Sequence, residues 1–127
     1  MHPLLCWIGY FKDAIINKHV CKLRYMNDNQ LPGGSEHRVI HPVAYGMSNG
    51  KTPNPVVRAY QVSGPSLKVN EKGVPLPDWR LFRVDRMDSF APISGDGDEI
   101  FKTFDEPPMY NKVGDKSMSR MDYNSKF

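Results

Sequence analysis

Apolar residues along the first stretch, 4–17, fall at Leu4, Trp7, Ile8, Phe11 and Ile15, close to the 3.6-residue period of a helical stripe. Leu5 and Ile16 widen that stripe, so the helix is expected to pack firmly, and Pro3 suits its first turn. The period then becomes two. In 19–26, Val20, Lys22 and Arg24 share one face and Cys21, Leu23 and Tyr25 the other, which predicts a strand with a wet and a dry side. Turn residues fill 27–36. A second strand is predicted over 37–45, with His37, Val39, His41 and Val43 on one face and Arg38 and Ile40 on the other. Pro42 is expected to cap or edge it, because proline donates no ladder hydrogen bond. After a loop over 46–55, a third strand covers 56–64, with Val56, Arg58, Tyr60 and Val62 on one face and Val57, Ala59 and Gln61 on the other. A long loop, 64–78, leads to a fourth strand over 79–90.

That last strand breaks the simple rule. Arg80, Phe82, Val84 and Arg86 share a face; Trp79, Leu81, Arg83, Asp85 and Met87 share the other, so arginine stands on both. A guanidinium needs water, a carboxylate or a phosphate, and local rules tend to fail where function intrudes. Asp85 and Arg86 read as an ion pair locking the strand, with Arg80 and Arg83 facing a ligand. The structural alternative is that the arginines pair with Asp85, Asp88 and Glu36 and staple the sheet.

One helix followed by short strands implies a small, strongly bent antiparallel sheet or barrel, and 11 prolines and 10 glycines suit short strands and many turns. At 127 residues the chain is one domain of ordinary size. The net charge of +3 is uneven: 12 Lys and Arg against 7 Asp and Glu in 1–95, and 5 against 7 in 96–127. A mildly basic body is compatible with nucleotide or nucleic-acid binding. The acidic 94–99 reads as a hinge, 100–110 as a segment with enough apolar content to dock back, and the polar chain beyond Val113 as a tail that is disordered or folds on a partner. No apolar run reaches the roughly 20 residues a membrane helix needs, and the start has neither a basic leader nor a small-residue cleavage site. A cytoplasmic protein with free thiols at Cys6 and Cys21 is expected.

The order "AIINKHVCKLRY", "RVIHPVAY", "VVRAYQV", "WRLFRVDRM" resembles the WYL domain family. The resemblance covers roughly residues 5–93. Its most specific part is the run Arg80-Leu81-Phe82-Arg83-Val84-Asp85-Arg86-Met87, followed by Arg38-Val39-Ile40-His41-Pro42. In place of the literal Trp-Tyr-Leu stands Val57-Arg58-Ala59-Tyr60. The resemblance implies an Sm/SH3-like β-barrel with a leading helix, here over 1–93; the acidic hinge and irregular tail read from the residues themselves follow over 94–127. It also implies a basic, Tyr-lined pocket for single-stranded nucleic acid or a nucleotide. By position its ligand-binding residues are Tyr25, Arg38, His41, Arg58, Tyr60, Arg80 and Arg83, with Arg86 a weaker candidate. With no helix-turn-helix ahead of the barrel, a free-standing sensor module is expected rather than an operator-binding regulator.

Each candidate has a plainer reading. Tyr60 is either a stacking platform or a core tyrosine, and His41 either donates to a phosphate or packs. Trp79 is a lid or a core residue, whereas Trp7 and Phe11 read as packing. His37 and His41 share a face, but nothing completes a zinc site, so no metal is expected. Ser66, Ser89, Cys6 and Cys21 lack a positioned base or an elbow motif, and no phosphate loop runs into a helix. No catalytic residue and no cofactor is therefore expected. The alternative function is a protein-interaction module, virus- or mobile-element-encoded, that sequesters a defence nucleotide or blocks a host factor. In that reading the tail grips a protein partner or a second copy.

Overall fold

The computed structural model describes residues 3–26, 30, 36–65, 78–95, 100–104 and 118–124; for 3–8, 78 and 118–124 this extends to the backbone alone. The helix α1 runs over Pro3–Ile16. Among its described side chains Phe11, Ala14 and Ile15 are buried, while Ile16, expected in the stripe, is exposed. The side chains of Leu4, Leu5, Trp7 and Ile8 lie outside the described residues. Phe11 stacks on Tyr45 at 5.6 Å and meets Phe90 edge-on at 4.8 Å, fastening the helix to the sheet.

The helix ends in a Schellman motif. The His19 amide donates to the Ala14 carbonyl at 2.9 Å and the Lys18 amide to the Ile15 carbonyl at 3.4 Å. Lys18 takes the left-handed conformation, φ 54°, that this cap requires and that glycine would adopt without strain.

Among the described residues six strands follow: β1 Cys21–Tyr25, β2 Arg38–Ser48, β3 Pro55–Ser63, β4 Asp78–Arg83, β5 Met87–Pro92 and β6 Met118–Asn124. The main path is β4-β3-β2-β1-β5, antiparallel throughout, and β6 also pairs with β2. The end strands β4 and β5 are joined through a single 3-10 turn, Val84–Arg86, but are not ladder partners. The fold is therefore mainly β, a bent antiparallel sheet with one helix, open between β4 and β5 rather than closed by hydrogen bonds.

Three expectations need correcting. The fourth strand over 79–90 is two strands, since Val84–Arg86 turns the chain from one end of the path to the other. Pro42 neither caps nor edges its strand: it is fully buried in the middle of β2, opposite Ala59 of β3. Its missing N–H is tolerated because β1 pairs with Arg38–Ile40 and β6 with Ala44–Ser48, leaving Pro42 in the gap between them. The register with β3 also shifts between Pro42 and Ala44, bending the strand there. Finally, the tail is not wholly irregular, because Met118–Asn124 forms β6.

Each face of the sheet carries its own core. The inner cluster joins Phe11, Ala14 and Ile15 to Cys21, Leu23, Ile40, Tyr45, Val57, Ala59, Phe82, Val84 and Met87. The outer cluster is Val20, Val43, Ala44 and Phe104, with Val39, Trp79 and Ile93 against it. A short arm holds Phe104 there. The Val20 amide donates to the Lys102 carbonyl at 2.8 Å, and the Phe104 amide to that of Lys18 at 3.0 Å. The dry and wet sides predicted for β1, and the two faces of β3, are as the alternation implies.

Candidate functional site

The seven candidate residues divide into three groups, set by which face of the sheet each alternating position meets. Tyr25, Arg38 and Arg80 belong to the inner side. Arg38 is buried, its guanidinium carbon 5.3 Å from the Tyr25 ring centroid and 5.6 Å from that of Phe82. Nη1 donates to Gln61 Oε1 at 3.2 Å. Gln61 is fully buried, and its Nε2 donates to the carbonyls of Ser63 at 3.2 Å and Pro65 at 2.9 Å. Arg80 is buried on the Phe82 side of β4, with Nη1 donating to the Trp79 carbonyl at 2.9 Å. These groups make a polar end to the inner core, in which a charge is held by cation–π contact and by an amide that is itself anchored twice.

Gly64 permits this packing. It leaves β3 with φ +104°, and a Cβ there would stand 2.6 Å from both the Arg38 Cα and the His37 carbonyl oxygen. Only a residue without a side chain lets the two chain segments meet so closely.

Arg83 stands apart, next to the 3-10 turn. Its Nε and Nη2 grip Asp85 at 3.0 and 2.7 Å, and Nη2 reaches Asn54 Oδ1 at 3.4 Å. The expected Asp85–Arg86 pair is replaced by this fork, because the turn brings the carboxylate back beneath the preceding arginine. The Arg83 amide donates to the Tyr25 hydroxyl at 2.8 Å, tying β4 to β1 across the open seam. Burial lifts the phenol's pKa above its ordinary value, so Tyr25 is neutral.

The third group lies on the outer face. The register places His41 of β2 opposite Tyr60 of β3, and Tyr60 opposite Trp79 of β4. Tyr60 and Trp79 meet edge to face at 5.2 Å, and His41 stacks flat on Phe104 at 4.4 Å and 6°. Along β3 the next residue on this face is Arg58, opposite Ala44 and Leu81. His41, Arg58, Tyr60, Trp79 and Leu81 are all half-buried. Burial, helped by the positive charge of Lys102, lowers the pKa of His41, which is therefore uncharged at neutral pH. Its Nδ1 is buried with no hydrogen-bond partner among the described residues.

Arg38 and Arg58 thus occupy opposite faces and Arg83 the seam, so the three do not converge on one ligand. Trp79 and Phe104 are outer-face residues that sequence alone did not place in a site. The parity of Trp79 with Tyr60 through adjacent strands was a usable signal; nothing signalled the stacking of Phe104 on His41. Among the described residues no three His, Cys, Asp or Glu side chains gather as a metal site, and no helix is long and apolar enough to cross a membrane. Comparison of the chain with protein-family models, with curated proteins and with solved structures finds no match.

Proposed function

We propose that the protein is a binding module for single-stranded nucleic acid or a nucleotide-type ligand, and that the outer face of β2, β3 and β4 is the binding surface. The observation that carries this reading is the register-matched row His41–Tyr60–Trp79 with Arg58 one step along the same face. Half-buried rings on a rigid sheet offer faces and edges to bases at little entropic cost, and an adjacent guanidinium suits a phosphate. His41, neutral and backed by Phe104, contributes its ring and an N–H rather than a charge. Tyr25, Arg38 and Arg80 support the surface from within, and Arg83 fixes the turn.

The likeness to WYL domains that this reading draws on lies in the two motif runs around Arg38 and Arg80. An SH3-like barrel is the idealised form of this sheet. The β1–β4 meander and the 3-10 turn that returns β5 to β1 favour it.

The test is fluorescence anisotropy with labelled 12-mer oligo(dT) and oligo(U) at two salt concentrations. Tyr60→Ala should weaken binding by about 1–3 kcal/mol, the value of one base–aromatic stack. Arg58→Ala should weaken it for every sequence and reduce the salt slope by about 1. Saturable binding that neither substitution alters, or no saturable binding at all, would refute the assignment.

A further inference from the structure

The edge of β2 is divided. Arg38–Leu23 begins the pairing with β1, which covers Arg38–Ile40; beyond Pro42 the same edge, Ala44–Ser48, is covered by β6. Unlike the other strands, β6 stands off the main path of the sheet. Its packing is against β2 and, to a lesser degree, α1. Its ladder is also irregular. Ala44 faces Asn124 and Tyr45 faces Tyr123, but Gly46 faces Met121; Met47 faces Arg120, but Ser48 faces Met118. Asp122 and Ser119 therefore have no opposite number on β2, two interruptions within one short strand. A row of backbone donors and acceptors at Ala44–Ser48 is thus satisfied by a segment that, among the described strands, pairs with β2 alone.

We propose that Ala44–Ser48 is a strand-acceptor edge, filled within one chain by Met118–Asn124 and able to take the same segment from a second copy. The occupant in trans is fixed by chemistry already present: the segment that fits this bent edge in register is β6 itself. Exchange of β6 between two copies satisfies the same backbone groups as the closed chain and produces a two-fold dimer in which each copy completes the other's β2 edge. This pairing is independent of the outer aromatic face, so it stands or falls separately from nucleic-acid binding.

The test uses the full chain. Met121→Pro, which disables β6 as a strand, is mixed with a fluorescein-labelled peptide of residues 115–127. A variant that keeps its β-rich circular dichroism should bind the peptide saturably and at least tenfold more tightly than the wild type. The wild type at high concentration should show dimers by light scattering that excess peptide dissolves. A folded variant that takes no peptide, or a wild type that binds it equally well, overturns the proposal. Native-state hydrogen exchange on the wild type decides the matter if the variant does not fold. The β6 amides should exchange through an opening that leaves β1–β5 protected, and exchange only with global unfolding would show β6 to be integral.

Discussion

Replacing Gln61 with leucine is expected to destabilise the fold more than any ordinary polar-to-apolar change at similar volume. Gln61 is fully buried and uses both ends of its amide: Oε1 accepts from Arg38, and Nε2 donates to the carbonyls of Ser63 and Pro65. A hydrogen bond to a charged donor is worth about 1.5–3 kcal/mol and a neutral one about 0.5–1.5. Leucine returns part of this through apolar burial, so the expected net loss is roughly 2–4 kcal/mol. For a domain of this size that corresponds to a fall in Tm of roughly 10 °C. The assay is urea denaturation followed by tryptophan fluorescence, wild type against variant, with the m-value held as a check that the unfolded state has not changed. A loss below about 1 kcal/mol at unchanged m would mean that Arg38 does not depend on Gln61, and would refute the inner polar end as a structural unit.

Three further outcomes follow from single positions. Gly64→Ala forces a side chain into a left-handed backbone and against the backbone of His37 and Arg38, and should cost at least about 3 kcal/mol in the same urea assay. Lys18→Gly relieves the positive φ of the helix cap and should raise stability by about 0.5–1 kcal/mol, read as an increase in the urea midpoint. Cys21 is a free, buried thiol whose pKa burial, and secondarily the charge of Asp13, pushes up to about 12. The unfolded chain therefore releases this proton first: the thiol's contribution is intact below pH 9 and is lost as pH rises towards 12, by about 1.4 kcal/mol per pH unit. Urea titrations at pH 7, 9 and 10 should show this fall in the wild type and a shallower one in Cys21→Ala.

The fold was legible where one residue pattern met one environment. The alternation Cys21-Leu23-Tyr25 against Lys22 and Arg24 names its faces because one side meets the inner core and the other water. The same holds for Val57, Ala59 and Gln61 on β3. Legibility failed where pairing, rather than burial, decides. Nothing in "VDR" distinguishes a 3-10 turn from a continuing strand, since Val84 is buried in either case. Pro42 reads as a strand end because proline usually falls there; it sits mid-strand because two different strands share that edge, a fact of tertiary topology. Likewise "MSRMDYN" lacks the apolar density that announces a strand, and its order comes from the β2 edge it completes.

The arginines illustrate how far composition can lead. Their presence on both faces of β4 announced that two environments would have to accept a guanidinium, and both do. Arg80 is inside, on the Phe82 side of β4; Arg83 is half-exposed, held by Asp85. What alternation cannot supply is depth. Arg38 and Arg58 look equivalent as single cations in apolar strands. The inner position leads to a cation–π niche under Tyr25 and Phe82, and the outer one to a half-buried surface beside Tyr60. A charge in the first setting contributes mainly by holding the fold together, since moving it would take from the buried Gln61 Oε1 its Arg38 donor and from two rings the cation they face. A charge in the second is only half-buried and remains in contact with solvent. That difference, rather than the number of arginines, is why the outer face of β2–β4, and not the inner one, is the surface proposed for binding.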